Sequence, residues 1–379
     1  MTTRRRDLTW TVAGGLALVL ALLLSCASGP PLRVGTSGDY APFSRDGQGF
    51  DIEVARRFAA KLGRPLELVP FRWPELAERA ARGDFDVAMS GVTWRADRDV
   101  HGWLSLAVGQ GGPCWIGGAD PAAVGVNRGG VLEGFARARF PKARIVAVDE
   151  NQSLPELLAA KRVDAIVTDS FEIALFRRPG DTSVCVDETY RKVYWVTPAV
   201  APQLGPALDA FLLADEPALR ELRERWFGTP QPRDATDHLV DLVARRLALM
   251  EWVGAWKRVH GKPIEDLAQE ARVLDAVGVR ARELGLDPDG VRQLFALEIQ
   301  LAKRIQRDTE QTSAPLDLDT ELRPALARLS DRQLDALARA APVPAASFDP
   351  GALAPLAPLL SPEEIAALRS ALAGVGRAK

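Results

Sequence analysis

Between residues 32 and 227 the chain alternates short apolar runs with longer stretches in which apolar residues recur every three to four positions. A brief apolar run bounded by turn formers fits a buried strand, and the longer period fits an amphipathic helix. The pattern predicts strands over 32–35, 66–69 and 85–89, with helices over 51–61 and 73–82 between them. It then repeats, with strands over 122–126, 143–148 and 165–167 and helices over 131–139 and 154–160. Two similar α/β lobes with a cleft between them are implied. Helices over 203–214 and 217–226 close the unit by returning to the first lobe.

Residues 228–234, Gly-Thr-Pro-Gln-Pro-Arg-Asp, interrupt the pattern and read as a linker. Beyond them the strand signature is gone. Helical periodicity runs over 237–259, 263–284, 287–309 and 319–340, and Asp287 followed by Pro288 has the form of a capped helix start. A second, all-α domain follows. The Ala- and Pro-rich tail contains one helix, at 362–372, to which no chemistry attaches. The division is therefore 1–30, 31–228, a linker at 229–237, 238–342, and a tail at 343–379.

A chain of 379 residues exceeds one compact core, which agrees with two domains. A formal net charge of -2 gives no electrostatic reason to expect nucleic acid, so the ligand is expected to be small. Three histidines, with no CxxC and no Cys/His cluster, lend a metal site little support. Arg4, Arg5 and Arg6 precede an apolar run over 12–24, the form of an export signal. That run is shorter than the ~20 residues of a spanning helix, although a retained anchor is an alternative. Leu23-Leu24-Ser25-Cys26 resembles a lipobox, which would lipidate Cys26 and attach the protein to a membrane; the other reading is simple cleavage within 27–29. Outside the cytoplasm, Cys114 and Cys185 are either a disulfide or buried thiols. An oligomer is compatible with the pattern.

Three segments carry a family resemblance: Thr36-Ser37-Gly38-Asp39-Tyr40-Ala41-Pro42-Phe43, then Gly49-Phe50-Asp51-Ile52, then 84–98 with Met89-Ser90-Gly91 and Arg98. They resemble the type 2 periplasmic solute-binding fold. Within it, Trp73-Pro74, the Met-Ser-Gly segment and Thr168-Asp169 followed by Glu172 resemble cyclohexadienyl dehydratases. The resemblance implies that prephenate aromatises by losing carbon dioxide while its ring hydroxyl leaves as water. Such a poor leaving group needs a proton. Arg98 would grip a carboxylate with Ser90 and Thr93 donating beside it. Tyr40, Trp73 and Asp169 would complete the wall, and Glu172 would be a general acid of raised pKa. The plainer readings are a surface cation at Arg98 and a solvated helix residue at Glu172. One departure stands out: Val131 and Leu132 are apolar where relatives carry amide or hydroxyl groups. Losing such a donor costs about 1–3 kcal/mol, enough for a weak enzyme or a mere binder.

In the second domain, Ala244-Arg245-Arg246-Leu247, Trp256-Lys257, 261–266 (Gly-Lys-Pro-Ile-Glu-Asp) and 285–289 (Gly-Leu-Asp-Pro-Asp) resemble the secreted, gamma class of all-helical chorismate mutases. The fold class is thus an α/β two-lobed, periplasmic-binding-protein-like (type 2) domain followed by an all-α chorismate mutase domain. A pericyclic rearrangement needs no nucleophile or cofactor, only cations that hold the folded dicarboxylate and stabilise charge on the breaking ether. The resemblance gives Arg246 a carboxylate, Lys257 and Gln306 the ether oxygen, and Glu270, one turn after Asp266, the ring hydroxyl. Arg323 matches a further active-site arginine, a solvated residue being its alternative. Gln269 replaces a customary arginine and Ala302 a serine or threonine; Arg272 is a candidate to reach in instead. The leading reading is a bifunctional exported enzyme converting chorismate to prephenate to phenylpyruvate, or arogenate to phenylalanine. The rivals are a solute-binding or sensory module fused to a working mutase, and a pair of decayed pockets that only bind.

Overall fold

The computed structural model describes residues 29–186, 190–231, 233–348 and 350–378. Cys26 and nearly all of the expected export signal lie outside the described residues. Among the described residues no helix is long and apolar enough to cross a membrane.

The first lobe is a five-stranded sheet in the order Leu66–Pro70, Leu32–Thr36, Val87–Ala88, Trp195–Val196, Trp103–Leu104. Strand Leu32–Thr36 pairs in parallel with both neighbours, and Phe50–Lys61 makes the crossover, burying Phe50, Val54, Ala55 and Phe58. Leu32 and Val34, two positions apart and so on one face of the strand, are wholly buried, while Arg33 between them is only partly buried. The predicted helix at 73–82 is a 3-10 turn, Trp73–Glu75, followed by helix Leu76–Arg82, because Pro74 fits only an opening turn.

The second lobe repeats the plan in the order Arg144–Val148, Ala123–Asn127, Ala165–Asp169, Pro113–Gly117, Ser183–Cys185. Its last two strands are antiparallel, and Cys114 and Cys185, opposite one another in that register, form a disulfide. The lobes are joined by a two-stranded ribbon in which Tyr190–Lys192 pairs with Gly109–Gly111. Helices Ala201–Ala214 and Glu216–Phe227 return to the first lobe and bury Leu208, Phe211, Leu219 and Leu222 against it.

The second domain is built from Ala235–Val259, Leu267–Glu283, Pro288–Asp308 and Arg323–Ala340. Their starts follow from side-chain caps: Asp234 and Asp237 form a capping box, Asp266 accepts from the Gln269 N–H, and Asp287 accepts from those of Asp289 and Gly290. The predicted helix at 263–284 therefore begins only at Leu267, after its cap. The helix predicted from 319 opens as a single π turn, Leu318–Leu322, before Arg323. Helix Pro362–Gly374 lies along Pro288–Asp308, with Leu356, Leu360, Leu368, Leu372 and Val375 buried. The tail set apart at 343–379 thus belongs to the helical core.

The two domains share a core in which Leu106 and Val108 meet Leu239, Leu242 and Val243. Around it run buried ion pairs: Arg245 with Asp99 (2.6 and 2.9 Å), Arg332 with Asp209 (2.8 Å), and Asp241 with Arg191 (2.8 Å) and Arg233. This contact explains why Ala235–Val259 is buried on nearly every face over its first four turns, charged residues included: it packs between the first domain and the other helices.

Two candidate active sites

A first cavity of about 550 Å³ opens between the lobes. It lies at the carboxyl ends of the strands of both sheets, where open α/β sheets leave a crevice. The first lobe contributes Tyr40, Trp73, Gly91, Thr93 and Arg98, and the second contributes Asn127, Gly130, Val131, Leu132, Asn151, Asp169 and Glu172. Tyr190 and Lys192 enter from the ribbon. Arg98 and Glu172 therefore share one space. Arg98 donates to the Thr93 carbonyl (2.8 Å), its guanidinium lies 5.7 Å from the Trp195 ring centroid, and no salt bridge engages it among the described residues. Burial lowers its pKa to about 10, so it stays cationic at neutral pH.

Glu172 is 1% exposed. Thr168 Oγ1 donates to its Oε2 (2.5 Å) and Asn151 Nδ2 to its Oε1. Burial, followed by the charge of Asp169, holds this carboxyl well above the usual range against the opposing pull of Thr168, Lys192 and Asn151. Its carboxyl therefore holds a proton more tightly than an exposed glutamate does. Asp169 is engaged from inside the protein: Lys192 Nζ lies 2.6 Å from Oδ2, the Tyr40 hydroxyl donates to the same oxygen, and the Phe171 N–H donates to Oδ1 (2.8 Å). Lys192 also donates to the Tyr40 hydroxyl (2.9 Å), the Gly91 carbonyl (3.1 Å) and Thr93 Oγ1 (3.1 Å), tying ribbon to both lobes. Gly91 is required there. Its φ is +62° and an added Cβ would stand 2.4 Å from the Tyr40 ring.

Ser90 does not reach the cavity. It is fully buried, with its hydroxyl 2.9 Å from that of Ser37 and 2.5 Å from that of Ser44. Lys192 and Asn151 were missed by the sequence reading. The one available signal was a lysine opening the run Val193-Tyr194-Trp195-Val196; Asn151 carries none.

A second cavity, of about 880 Å³, lies inside the helical domain. Arg246 and Lys257 of helix Ala235–Val259 both line it, as do Asp266, Gln269, Glu270, Ala302, Lys303, Gln306 and Arg323. Arg246 is aimed by three contacts: Glu298 Oε2 (2.7 Å), Ser330 Oγ (3.1 Å) and the face of Phe295 (5.1 Å). Lys257 donates to the Ile264 carbonyl (2.7 Å) and has no salt bridge among the described residues. Burial lowers its pKa. Gln306 leaves its buried Oε1 without a hydrogen-bond partner. Gly254 brings Gln306 close, since an added Cβ would stand 2.5 Å from the Gln306 carbonyl oxygen. Arg323 pairs with exposed Asp319 while lining the cavity.

Arg272 does not reach in. It is exposed and donates to Gln269 Oε1 (3.1 and 2.8 Å). The buried cation facing this wall is Lys303, 3.1 Å from Glu270. Its signal was present in the sequence: Ile299, Ala302, Lys303 and Gln306 recur at helical spacing on one face. Among the described residues no cluster of three or more His, Cys, Asp or Glu could hold a metal ion.

A two-lobed domain with a ligand cleft, joined to a helical bundle with a cationic pocket, defines a solute-binding-type fold carrying a second module. The chain belongs to the bacterial extracellular solute-binding proteins, family 3, whose profile matches residues 32–229. Residues 233–307 match chorismate mutase type II. The cyclohexadienyl dehydratase of Pseudomonas aeruginosa is 34% identical over 254 residues, spanning 61% of this chain and 86% of that protein. A secreted chorismate mutase of Yersinia pestis is 35% identical over 65 residues, 17% of this chain and 35% of that relative's length. The solved structure of an ancestral amino acid-binding protein, a precursor of cyclohexadienyl dehydratase, aligns at 26% identity over 55% of this chain and 99% of its own, with a TM-score of 0.48.

Proposed function

We propose that the chain is a bifunctional enzyme of phenylalanine synthesis, rearranging chorismate to prephenate in the helical cavity and dehydrating prephenate, or arogenate, in the interlobe cavity. The observation that carries this reading is one space holding a salt-bridge-free cation, Arg98, and a buried carboxyl of raised pKa, Glu172. In the second cavity Arg246 holds a carboxylate of folded chorismate. Lys257 and the Gln306 amide donate to the ether oxygen as its C–O bond breaks and the new C–C bond forms. No proton is gained or lost. Asp266 caps the helix that carries Glu270, Glu270 accepts from the ring hydroxyl, and Arg323 closes the pocket.

In the first cavity Arg98 holds a carboxylate, with Thr93 and Tyr40 beside it and Trp73 against the ring. The bond to the departing carboxylate breaks, and its electron pair completes the aromatic ring. The hydroxyl leaves with the Glu172 proton as water, and Glu172 is reprotonated from solvent. Leu132, packed on the second-lobe core, offers no amide at the helix start. Ser90 acts from behind, through Ser37 and Ser44. We further propose that residues 1–30 direct export and that Cys26 is the lipidated first residue of the mature protein; mass spectrometry of the mature amino terminus tests this.

The functional test supplies purified protein with chorismate and, separately, prephenate, and follows both substrates and phenylpyruvate. Consumption of both with phenylpyruvate formed supports the reading. Chorismate consumption that halts at prephenate would instead select a binding module fused to a working mutase.

A further inference from the structure

We propose that Lys303 is a substrate-binding residue of the second cavity, supplying a carboxylate of chorismate with the cation that Gln269 does not provide. This rests on the mutase reading above. Two facing helices, Leu267–Glu283 and Pro288–Asp308, form one wall of the cavity and contribute Gln269, Glu270, Val273, Ile299, Lys303 and Gln306 to it. Lys303 is the sole cation on that wall among the described residues. The others come from elsewhere: Arg246 and Lys257 from the first helix of the domain, Arg323 from the last. Without Lys303, one side of a dianion would face an amide and a carboxylate.

The charge balance points the same way. Four cations and two carboxylates, Asp266 and Glu270, line the cavity, and Arg246 and Arg323 are already paired with Glu298 and Asp319, which leaves Lys257 and Lys303 as the cations with no hydrogen-bonded carboxylate outside the lining. Removing Lys303 leaves one. Nor is Lys303 placed for stability alone. It is 7% exposed, and its partners are Glu270 (3.1 Å) and Glu265 (3.6 Å), the latter a mostly exposed carboxylate whose pairing contributes little. A lysine buried in this way, with three donors and only one close carboxylate, retains protons for a ligand. Ala302 beside it presents no polar group, and the guanidinium of Arg272 is engaged with Gln269 outside the pocket. With substrate present, Lys303 donates to the carboxylate and stays beside Glu270, holding that side chain for the ring hydroxyl.

The test is Lys303→Gln in the full chain. The KM for chorismate should rise about 10- to 100-fold, the loss of one charge-assisted hydrogen bond, with a smaller change in kcat. Phenylpyruvate formation from supplied prephenate should be unchanged, which reports that the chain has folded. Gln269→Arg added to that variant places a cation on the same wall and should recover most of the KM, and Lys303→Arg should stay near the unsubstituted value. A KM within twofold of the unsubstituted protein overturns the proposal; so does failure of Gln269→Arg to recover it, since Lys303 would then act through Glu270 alone. If the unsubstituted chain leaves chorismate untouched, the mutase reading itself is overturned and this proposal with it.

Discussion

The two cavities meet related anions with differently arranged charge. The interlobe cavity is small and its ionisable groups are largely satisfied by one another: Lys192 holds Asp169, and burial raises the pKa of Glu172. The helical cavity is larger and is lined by four cations and two carboxylates. The difference follows the chemistry. Expelling water from a ring needs a proton delivered in a dry place, so burial is the tool and a carboxyl is held in its acid form. Folding an ether dianion for rearrangement needs fixed positive charge and no titrating group.

Four experiments sharpen or break that contrast. Glu172→Gln should lower dehydration by about 10²- to 10⁴-fold, the usual contribution of a positioned general acid, and leave chorismate consumption intact. Lys257→Ala should lower chorismate turnover by about 10²- to 10³-fold with prephenate dehydration unchanged. Cross-effects in either assay would mean that the cavities do not divide the work as described.

The third experiment is a pair of pH profiles. Because the folded-state pKa of Glu172 is raised, the folded protein binds more protons than the unfolded chain between the two values, and this contribution to stability fades as pH climbs through the folded pKa. The dehydration rate should fall over the same interval, whereas the rearrangement, with Gln306 at the ether oxygen, should be flat. A mutase rate rising steeply towards acid would contradict the role of Gln306. The smallest effect is expected from Leu132→Asn, which returns an amide to the cavity wall and should raise dehydration by up to about tenfold, read as kcat/KM for prephenate.

Much of the architecture was legible because its signals are long. The helices Leu267–Glu283, Pro288–Asp308 and Arg323–Ala340 repeat an apolar period over several turns, and Asp287 with Pro288 marks one of their starts. The strands absent from the sequence expectation are two to five residues long and antiparallel, among them Trp103–Leu104, Gly109–Gly111, Pro113–Gly117, Ser183–Cys185, Tyr190–Lys192 and Trp195–Val196. So short a run has no period to read. The same limit governs the sites. Arg98, Glu172, Arg246 and Lys257 stand in motifs, and each reaches a cavity wall. Lys192 is brought to Asp169 only by pairing of the ribbon, a contact 23 positions apart in sequence that no local pattern encodes. Ser90 was placed one layer too far forward, because a strand's end does not reveal whether its hydroxyl faces ligand or the neighbouring turn.

The ion pairs between the domains have a mechanical consequence. Asp99 follows Arg98 on the short helix Ala96–Val100, and Arg245, its partner, precedes Arg246. Each interdomain salt bridge described above ends on the first lobe, the linker or the crossing ribbon. Separating the bundle from the first lobe would break these buried pairs and leave uncompensated charges inside the protein, so the ion pairs resist that movement. Arg98 of one cavity and Arg246 of the other each stand one position along the chain from the same salt bridge, Asp99–Arg245, so a single buried contact anchors the segments that carry both carboxylate-holding arginines.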